Sequence, residues 1–193
     1  INIILNMFFG PIVNAARGIS YQILSAVEMF TTNFQTSFRP QLIKSYAEGN
    51  LDYMYKLYYS ATKISFYMLW CISLPIIIET PMILGLWLGN NVPEYTVVFT
   101  RLILLTALVS AYANPTSAIA YATGDIKRFI SWVSSLNLLI VPIGYLFFKL
   151  GYDPESTMII SLIMTILVQI VRLFVLKKLL YFSILDYIKK VCI

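Results

Sequence analysis

Apolar residues fall in five long runs separated by short polar breaks, which predicts five full transmembrane helices at about 11–38, 62–84, 96–121, 129–149 and 156–176. Each run reaches the roughly 20 residues needed to cross about 30 Å of hydrocarbon. The breaks carry turn-forming residues: "FRPQ" after the first run, "GLWLGNNVPEY" after the second, "ATGDIKR" after the third and "KLGYDPES" after the fourth. Ahead of them, residues 1–9, "INIILNMFF", read as half a helix that ends at Gly10-Pro11, the stub of a span that begins before Ile1. No signal-peptide pattern opens the chain. The expected fold class is therefore all-α, a polytopic transmembrane helix bundle over residues 1–179 followed by an amphipathic tail at 180–193.

Two segments between and after the spans alternate differently. In "GNLDYMYKLYYSATK", Leu51, Met54, Tyr55 and Tyr58 repeat at helical spacing with Asp52 and Lys56 opposite; "LLYFSILDYIKKVCI" does the same through Leu180, Ile184, Ile188 and Val191. Both are expected to lie on the membrane surface, where their lysines meet anionic headgroups. Charge then sets an orientation. Arg39, Lys44, Lys56, Lys63, Lys127, Arg128, Lys177, Lys178, Lys189 and Lys190 share one side of the predicted topology, ten of the 14 basic residues. By the excess of Lys and Arg on cytoplasmic loops, that side and the C-terminus are expected in the cytoplasm.

The first span interrupts this apolar picture. With Arg17 at 0° and about 100° per residue, Gln35 falls at about 0°, Glu28 at about 20°, Tyr21 at about 40°, Asn14 and Thr32 at about 60°, and Ser25 at about 80°. Ile12, Ile19, Ile23, Phe30 and Phe34 occupy the opposite side. A charge facing lipid at mid-depth costs at least about 2.5–3.5 kcal/mol, so a polar stripe along a whole span predicts a wet cavity. Small and amide side chains also join membrane helices by interhelical hydrogen bonds, at about 0.6 kcal/mol each, and that reading stays open. Arg17 and Glu28 are too distant to pair, their backbones standing roughly 16 Å apart along the axis. The third span repeats the device with Thr106, Ser110, Asn114, Ser117 and Tyr121, and the fifth with Ser161, Thr165, Gln169 and Arg172. Pro115 removes a backbone hydrogen bond from the third span and is a candidate hinge.

Composition changes the picture in one further respect. Hydrophobic residues make up 59% and charged residues 12%, with a mean hydropathy of +0.78, far from a soluble average. The chain has no His and two Cys, Cys71 and Cys192, without metal-ligand spacing, which argues against metal, thiol and triad chemistry and against an enzyme. No nucleic-acid partner is expected.

The stretches "NMFFGPIVNAARGISYQ", "NFQTSFRPQLIKSYAEGN", "LPIIIETPMILGLWLGNNVPEYTVVFTRLILL" and "YATGDIKRF", in this order, resemble the second half of a Wzx-type polysaccharide or O-antigen flippase, of the multidrug/oligosaccharidyl-lipid/polysaccharide superfamily that also includes MATE exporters. The resemblance runs over nearly the whole chain. It implies a parent of about twelve spans in two six-helix halves, with the N-terminal half as a partner, in a bacterial inner membrane. The implied activity is movement of undecaprenyl-diphosphate-linked oligosaccharide to the periplasmic leaflet by alternating access. Arg17 would then attract the diphosphate, with Asn14, Tyr21, Gln22, Ser25, Gln35 and Asn114 as sugar or water contacts. Glu28 is left with several roles: holding a coupling proton or Na+, pairing with an arginine of the other half, or positioning a helix. No cofactor is expected beyond that coupling ion. A cation-coupled drug antiporter, favoured by Glu28, Tyr21 and Tyr112, is the alternative; a membrane-embedded glycan polymerase and a non-transporting scaffold rank below it.

Overall fold

The computed structural model describes residues 1–124, 126–180 and 183–192, apart from the side chains of Ile126, Arg128, Leu179, Leu185 and Cys192. Its first element, α1 (Asn2–Ala47), is broken once, at Gly10, where φ is 79° and ψ is −177°. Pro11 explains the position: it disfavours helical geometry in the residue before it, and only glycine accepts this positive φ without strain. The break folds residues 2–9 back on the turns that hold Val13, Ala16 and Arg17. Arg17 Nη1 donates to Asn2 Oδ1, and Leu5 is buried with Val13 and Ala16. Fifteen residues of unbroken helix would hold Asn2 and Arg17 about 22 Å apart. Residues 1–9 thus form a separate short helix that ends at Gly10-Pro11, as the sequence pattern predicts.

The chain continues as α2 (Leu51–Ile78), α3 (Thr80–Leu88), α4 (Thr96–Ser110), α5 (Ala113–Ala122), α6 (Ile126–Leu138), α7 (Ile140–Lys149), α8 (Ser156–Leu180) and α9 (Ile184–Tyr187), then one π-helical turn (Ile188–Cys192). No strand occurs among the described residues. Five stretches are long and apolar enough to cross a membrane: Asn2–Ala47, Leu51–Ile78, Thr96–Ala122, Phe129–Lys149 and Ser156–Lys178. The protein is an all-α, multi-pass membrane bundle. Helix α1 is its spine, packing on α2, α4 and α5, while α8 packs on α4, α5, α6 and α7.

Three boundaries differ from the sequence reading. The first span does not stop at residue 38, because Pro40 removes only one hydrogen bond at an exposed position and α1 runs on to Ala47. The second span does not start at residue 62. Nothing between Leu51 and Leu74 is Gly or Pro, so the expected surface helix and the span are one continuous α2. Part of the amphipathic face that suggested a surface helix is covered by protein: Met54 and Tyr58 are fully buried beside Phe38, Leu42 and Ala61, while Leu51 is exposed. At its other end α2 stops at Ile78 rather than 84. Pro81 cannot donate to the Ile77 carbonyl four residues back. Thr80 Oγ1 and Arg101 Nε, each 3.0 Å from Ile77 O, replace that donor, and Arg101 Nη2 lies 3.4 Å from Ile78 O.

The tail at 180–193 likewise packs on the bundle. Tyr187 stacks on Tyr58 with ring centroids 5.6 Å apart, Val191 is buried, Lys190 Nζ sits 5.2 Å above the Tyr59 ring, and Tyr55 Oη donates to Leu180 O at 2.9 Å. Tyr181, Phe182 and Ile193 of the predicted tail helix lie outside the described residues, as does Asp125 of the predicted "ATGDIKR" loop.

Candidate functional site

A cavity of about 690 Å³ opens between the second half of α1, the junction of α4 and α5, and α8. Its polar lining comes from the three helices that carry polar stripes in the sequence. Helix α1 supplies Glu28, Thr31, Thr32, Gln35, Thr36 and Arg39; α4 and α5 supply Ser110, Asn114, Ser117 and Tyr121; α8 supplies Thr165, Gln169 and Arg172, and α6 adds Asn137.

Helix geometry explains why the cavity stands where it does. The residues α1 buries after its break, including Val13, Ala16, Ser20, Val27, Thr31, Phe38, Leu42 and Ser45, centre at about −50° on a wheel with Arg17 at zero, beside the polar stripe rather than beneath it. The stripe therefore runs along the edge of the packed seam. Along the second half of α1 the neighbouring helices stand off and enclose that edge. Along the first half they do not.

Of the eight sequence candidates, Glu28, Gln35 and Asn114 line the cavity, and Asn14, Arg17, Tyr21, Gln22 and Ser25 do not. Arg17 lies 4.4 Å from the Tyr21 ring centroid in a cation–π contact, besides its bond to Asn2. Ser25 Oγ donates to Tyr21 O one turn back at 2.9 Å. Tyr21, Gln22 and Ser25 are exposed.

Gln35 has a specific structural reason for its place. Pro115 lacks the N–H that would bond the Ala111 carbonyl. Gln35 Nε2 donates to that carbonyl at 3.3 Å, and Gln35 Oε1 accepts from Asn114 Nδ2 at 2.6 Å. The α4–α5 break at Ala111-Tyr112 is thus tied to α1 by one buried amide. Thr116 Oγ1 donates to Tyr112 O at 2.7 Å and lies 2.9 Å from Tyr58 Oη, which holds the same break against α2.

The strongest charges in the cavity are two arginines absent from the sequence candidates. Arg39 stands 5.4 Å from the Tyr121 ring centroid at the end nearer Ala47. Arg172 Nε is buried without a hydrogen-bond partner, and so are Gln169 Nε2 one turn away and Thr31 Oγ1 across the cavity. Glu28 is the one acidic residue in the lining, and among the described residues the ion pair formed is Lys44–Glu48, so neither arginine is neutralised by it. Sequence carries a signal for both. Arg39 follows Glu28 by 11 residues, as Glu28 follows Arg17, which keeps all three within about 40° of one another. Arg172 closes the α8 stripe. Among the described residues no cluster of three or more His, Cys, Asp or Glu could hold a metal ion.

The site is thus a polar, net cationic cavity within the bundle, with hydrogen-bonding groups left open toward its interior. No family model matches the chain, and no curated protein or solved structure matches it.

Proposed function

We propose that this chain is part of a bacterial inner-membrane flippase that carries undecaprenyl-diphosphate-linked oligosaccharide from the cytoplasmic to the periplasmic leaflet by alternating access, with its C-terminus in the cytoplasm. The observation that carries the reading is the cavity itself, with Arg39 and Arg172 in its lining and three buried polar atoms that lack a protein partner. Buried polar groups are nearly always hydrogen-bonded, so these call for water or a polar ligand. A sugar diphosphate is hydrated, bulky and anionic; guanidinium forks match phosphate oxygens, and amides and hydroxyls match sugar hydroxyls. Arg17, the diphosphate ligand expected from the resemblance, is replaced in this reading by the cavity pair. Arg17 instead holds the Gly10 hairpin through Asn2. The open side of the cavity is where an N-terminal half of the transporter would complete it. The α4–α5 break at Pro115 supplies a hinge between two rigid segments.

The test is delivery of lipid-linked oligosaccharide to the outer leaflet by the full-length protein, comparing Arg39→Ala, Arg172→Ala and Arg17→Ala at matched membrane insertion. Loss in the first two with transport retained in the third is the expected result; unchanged transport in both cavity variants overturns it. A second reading, a cation-coupled antiporter, is favoured by Glu28 in the same lining. It requires Glu28→Gln to abolish drug efflux while lipid delivery is absent in the wild type.

A further inference from the structure

Tyr121 lines the cavity from the last turn of α5, the helix that packs on both arginine-bearing helices, α1 and α8. Its ring centroid lies 5.4 Å from the Arg39 guanidinium carbon. The same ring meets buried Phe129 of α6 nearly at a right angle, with centroids 6.2 Å apart, in a cluster that also holds Val168 and Val175 of α8. We infer that Tyr121 is a positioning residue: its ring holds the Arg39 guanidinium turned into the cavity beside Arg172, so that the two arginines grip one diphosphate. This deepens the proposed flippase function and rests on it.

Helical spacing brings Arg172 to the same place. Val168, Arg172 and Val175 are four and three residues apart and so share one face of α8. That face packs on Tyr121 and Phe129 through its two valines, which sets Arg172 beside the ring that Arg39 touches. Depth agrees. Arg39 and Arg172 each lie eight residues before the end of their helix, at Ala47 and Leu180, or about 12 Å along the axis. The first and fifth of five successive spans run in the same direction, so the two guanidiniums approach one level of the cavity from opposite walls.

Arg39 needs such a hold and Arg172 does not. Arg172 Nε is buried, whereas the Arg39 side chain is exposed on a stretch of α1 close to its end. A long cationic side chain there reaches readily outward to the headgroup region. Lys44, five residues on, shows that direction, lying 3.7 Å from Glu48 with both side chains exposed. Within the cavity no carboxylate can take the place of the ring, because Glu28, the one acid of the lining, is eleven residues back on α1, about 16 Å along the axis. An aromatic face also suits the purpose better than a carboxylate. It attracts the cation through the ring quadrupole and leaves the N–H edge of the guanidinium free for phosphate oxygens, whereas an ion pair would occupy those donors.

The test measures binding of farnesyl diphosphate and farnesyl monophosphate to the full-length protein and to its Tyr121→Met, Tyr121→Phe, Arg39→Ala and Tyr121→Met/Arg39→Ala variants, at matched Tm. Methionine fills the space beside Phe129 without an aromatic face, and Tyr121→Leu stands in for it where Tm falls. Tyr121→Met should weaken diphosphate binding at least about fivefold and shrink the preference for diphosphate over monophosphate. Tyr121→Phe, which keeps the ring, should stay within about twofold of wild type. The double variant should bind no more than about twofold worse than Arg39→Ala, since Tyr121 acts through Arg39. Wild-type binding in Tyr121→Met, equal weakening by phenylalanine and methionine, or a full second loss in the double variant overturns the inference. So does a wild type that does not prefer the diphosphate. Oligosaccharide delivery at the wild-type rate in Tyr121→Met sinks it and leaves the flippase reading in place. The expected binding pattern in a wild type that delivers no oligosaccharide would instead sink the flippase reading and leave Tyr121 as the support of Arg39.

Discussion

In the first half of α1, Ser20 and Thr100 close a buried hydrogen-bonded seam against α4, whereas in the second half Glu28, Gln35 and Arg39 stand along an open chamber. Both halves bear polar residues. What differs is the neighbour. Against the unbroken α4, each hydroxyl finds a carbonyl close by: Ser20 Oγ donates to Ala16 O at 2.9 Å and Thr100 Oγ1 to Thr96 O at 2.7 Å. At the α4–α5 break Thr116 and Ser117 bond carbonyls one turn back in the same way, but the freed Ala111 carbonyl is met by a side chain reaching across from α1. A break in the facing backbone therefore sets which α1 side chain is drawn across to it, here Gln35.

The largest effect expected from this contrast is on transport. Arg172→Ala removes a charge whose Nε has no protein partner, so the protein should fold and the ligand should lose its contact. A fall of at least about tenfold, or roughly 1.4 kcal/mol, is expected in lipid delivery by the full-length protein. Arg172→Lys should restore part of it, because an ammonium keeps the charge without the two-pronged geometry. Full activity in Arg172→Ala would erase the functional difference between the two halves.

Gln35→Leu probes stability rather than transport. It strands the buried Ala111 carbonyl left by the Pro115 break and removes the acceptor of Asn114 Nδ2, and should lower unfolding stability by about 1–3 kcal/mol, read as a shift in thermal or denaturant midpoint. A smaller loss is expected from Arg101→Leu at the Pro81 break, because Ile77 O keeps the Thr80 hydroxyl as a donor at 3.0 Å. Pro115→Ala in a Gln35→Leu background should recover part of it, since the alanine N–H can serve Ala111 itself. Lack of any recovery would show that Gln35 acts through something other than the missing bond.

How far the sequence discloses this arrangement depends on the kind of signal. Spans are legible because burying an uncharged run in hydrocarbon is a property of the run alone, and the Gly10-Pro11 break is legible because both residues restrict their own backbone. The polar stripes of α1, α5 and α8 are legible as stripes. Their partners are not: that Gln35 answers Pro115, or that Arg101 answers Pro81, depends on helices 76 and 24 residues distant in the chain meeting at one carbonyl. The surface helices are legible only as amphipathic, since a period in Met54 and Tyr58 or in Ile184 and Val191 records that one face is covered without recording whether lipid or protein covers it. Arg39 is hidden by Pro40, which reads as a stop and here costs an exposed helix only one bond.

Arg17→Ala sharpens the contrast from the other side. Outside the cavity, its removal should change lipid delivery by no more than about twofold, or roughly 0.4 kcal/mol. It should lower stability by about 0.5–1 kcal/mol through the lost contact with the Tyr21 ring, with a further small loss at Asn2. Abolished transport at normal stability would place the ligand's path along the whole stripe.

The smallest effect belongs to the seam between α1 and α4. Thr100→Val removes a hydroxyl bonded both to Ser20 Oγ at 3.0 Å and to Thr96 O, and keeps the shape of the side chain. Ser20 Oγ retains Ala16 O and Thr96 O as acceptors, so no buried donor is stranded. A loss of about 0.6 kcal/mol is expected, the ordinary worth of one hydrogen bond between membrane helices, with transport unchanged. A loss as large as that of Gln35→Leu would mean that the seam, too, compensates for a missing backbone bond. The contrast between the halves of α1 would then rest on the width of the gap alone and no longer on the break at Pro115.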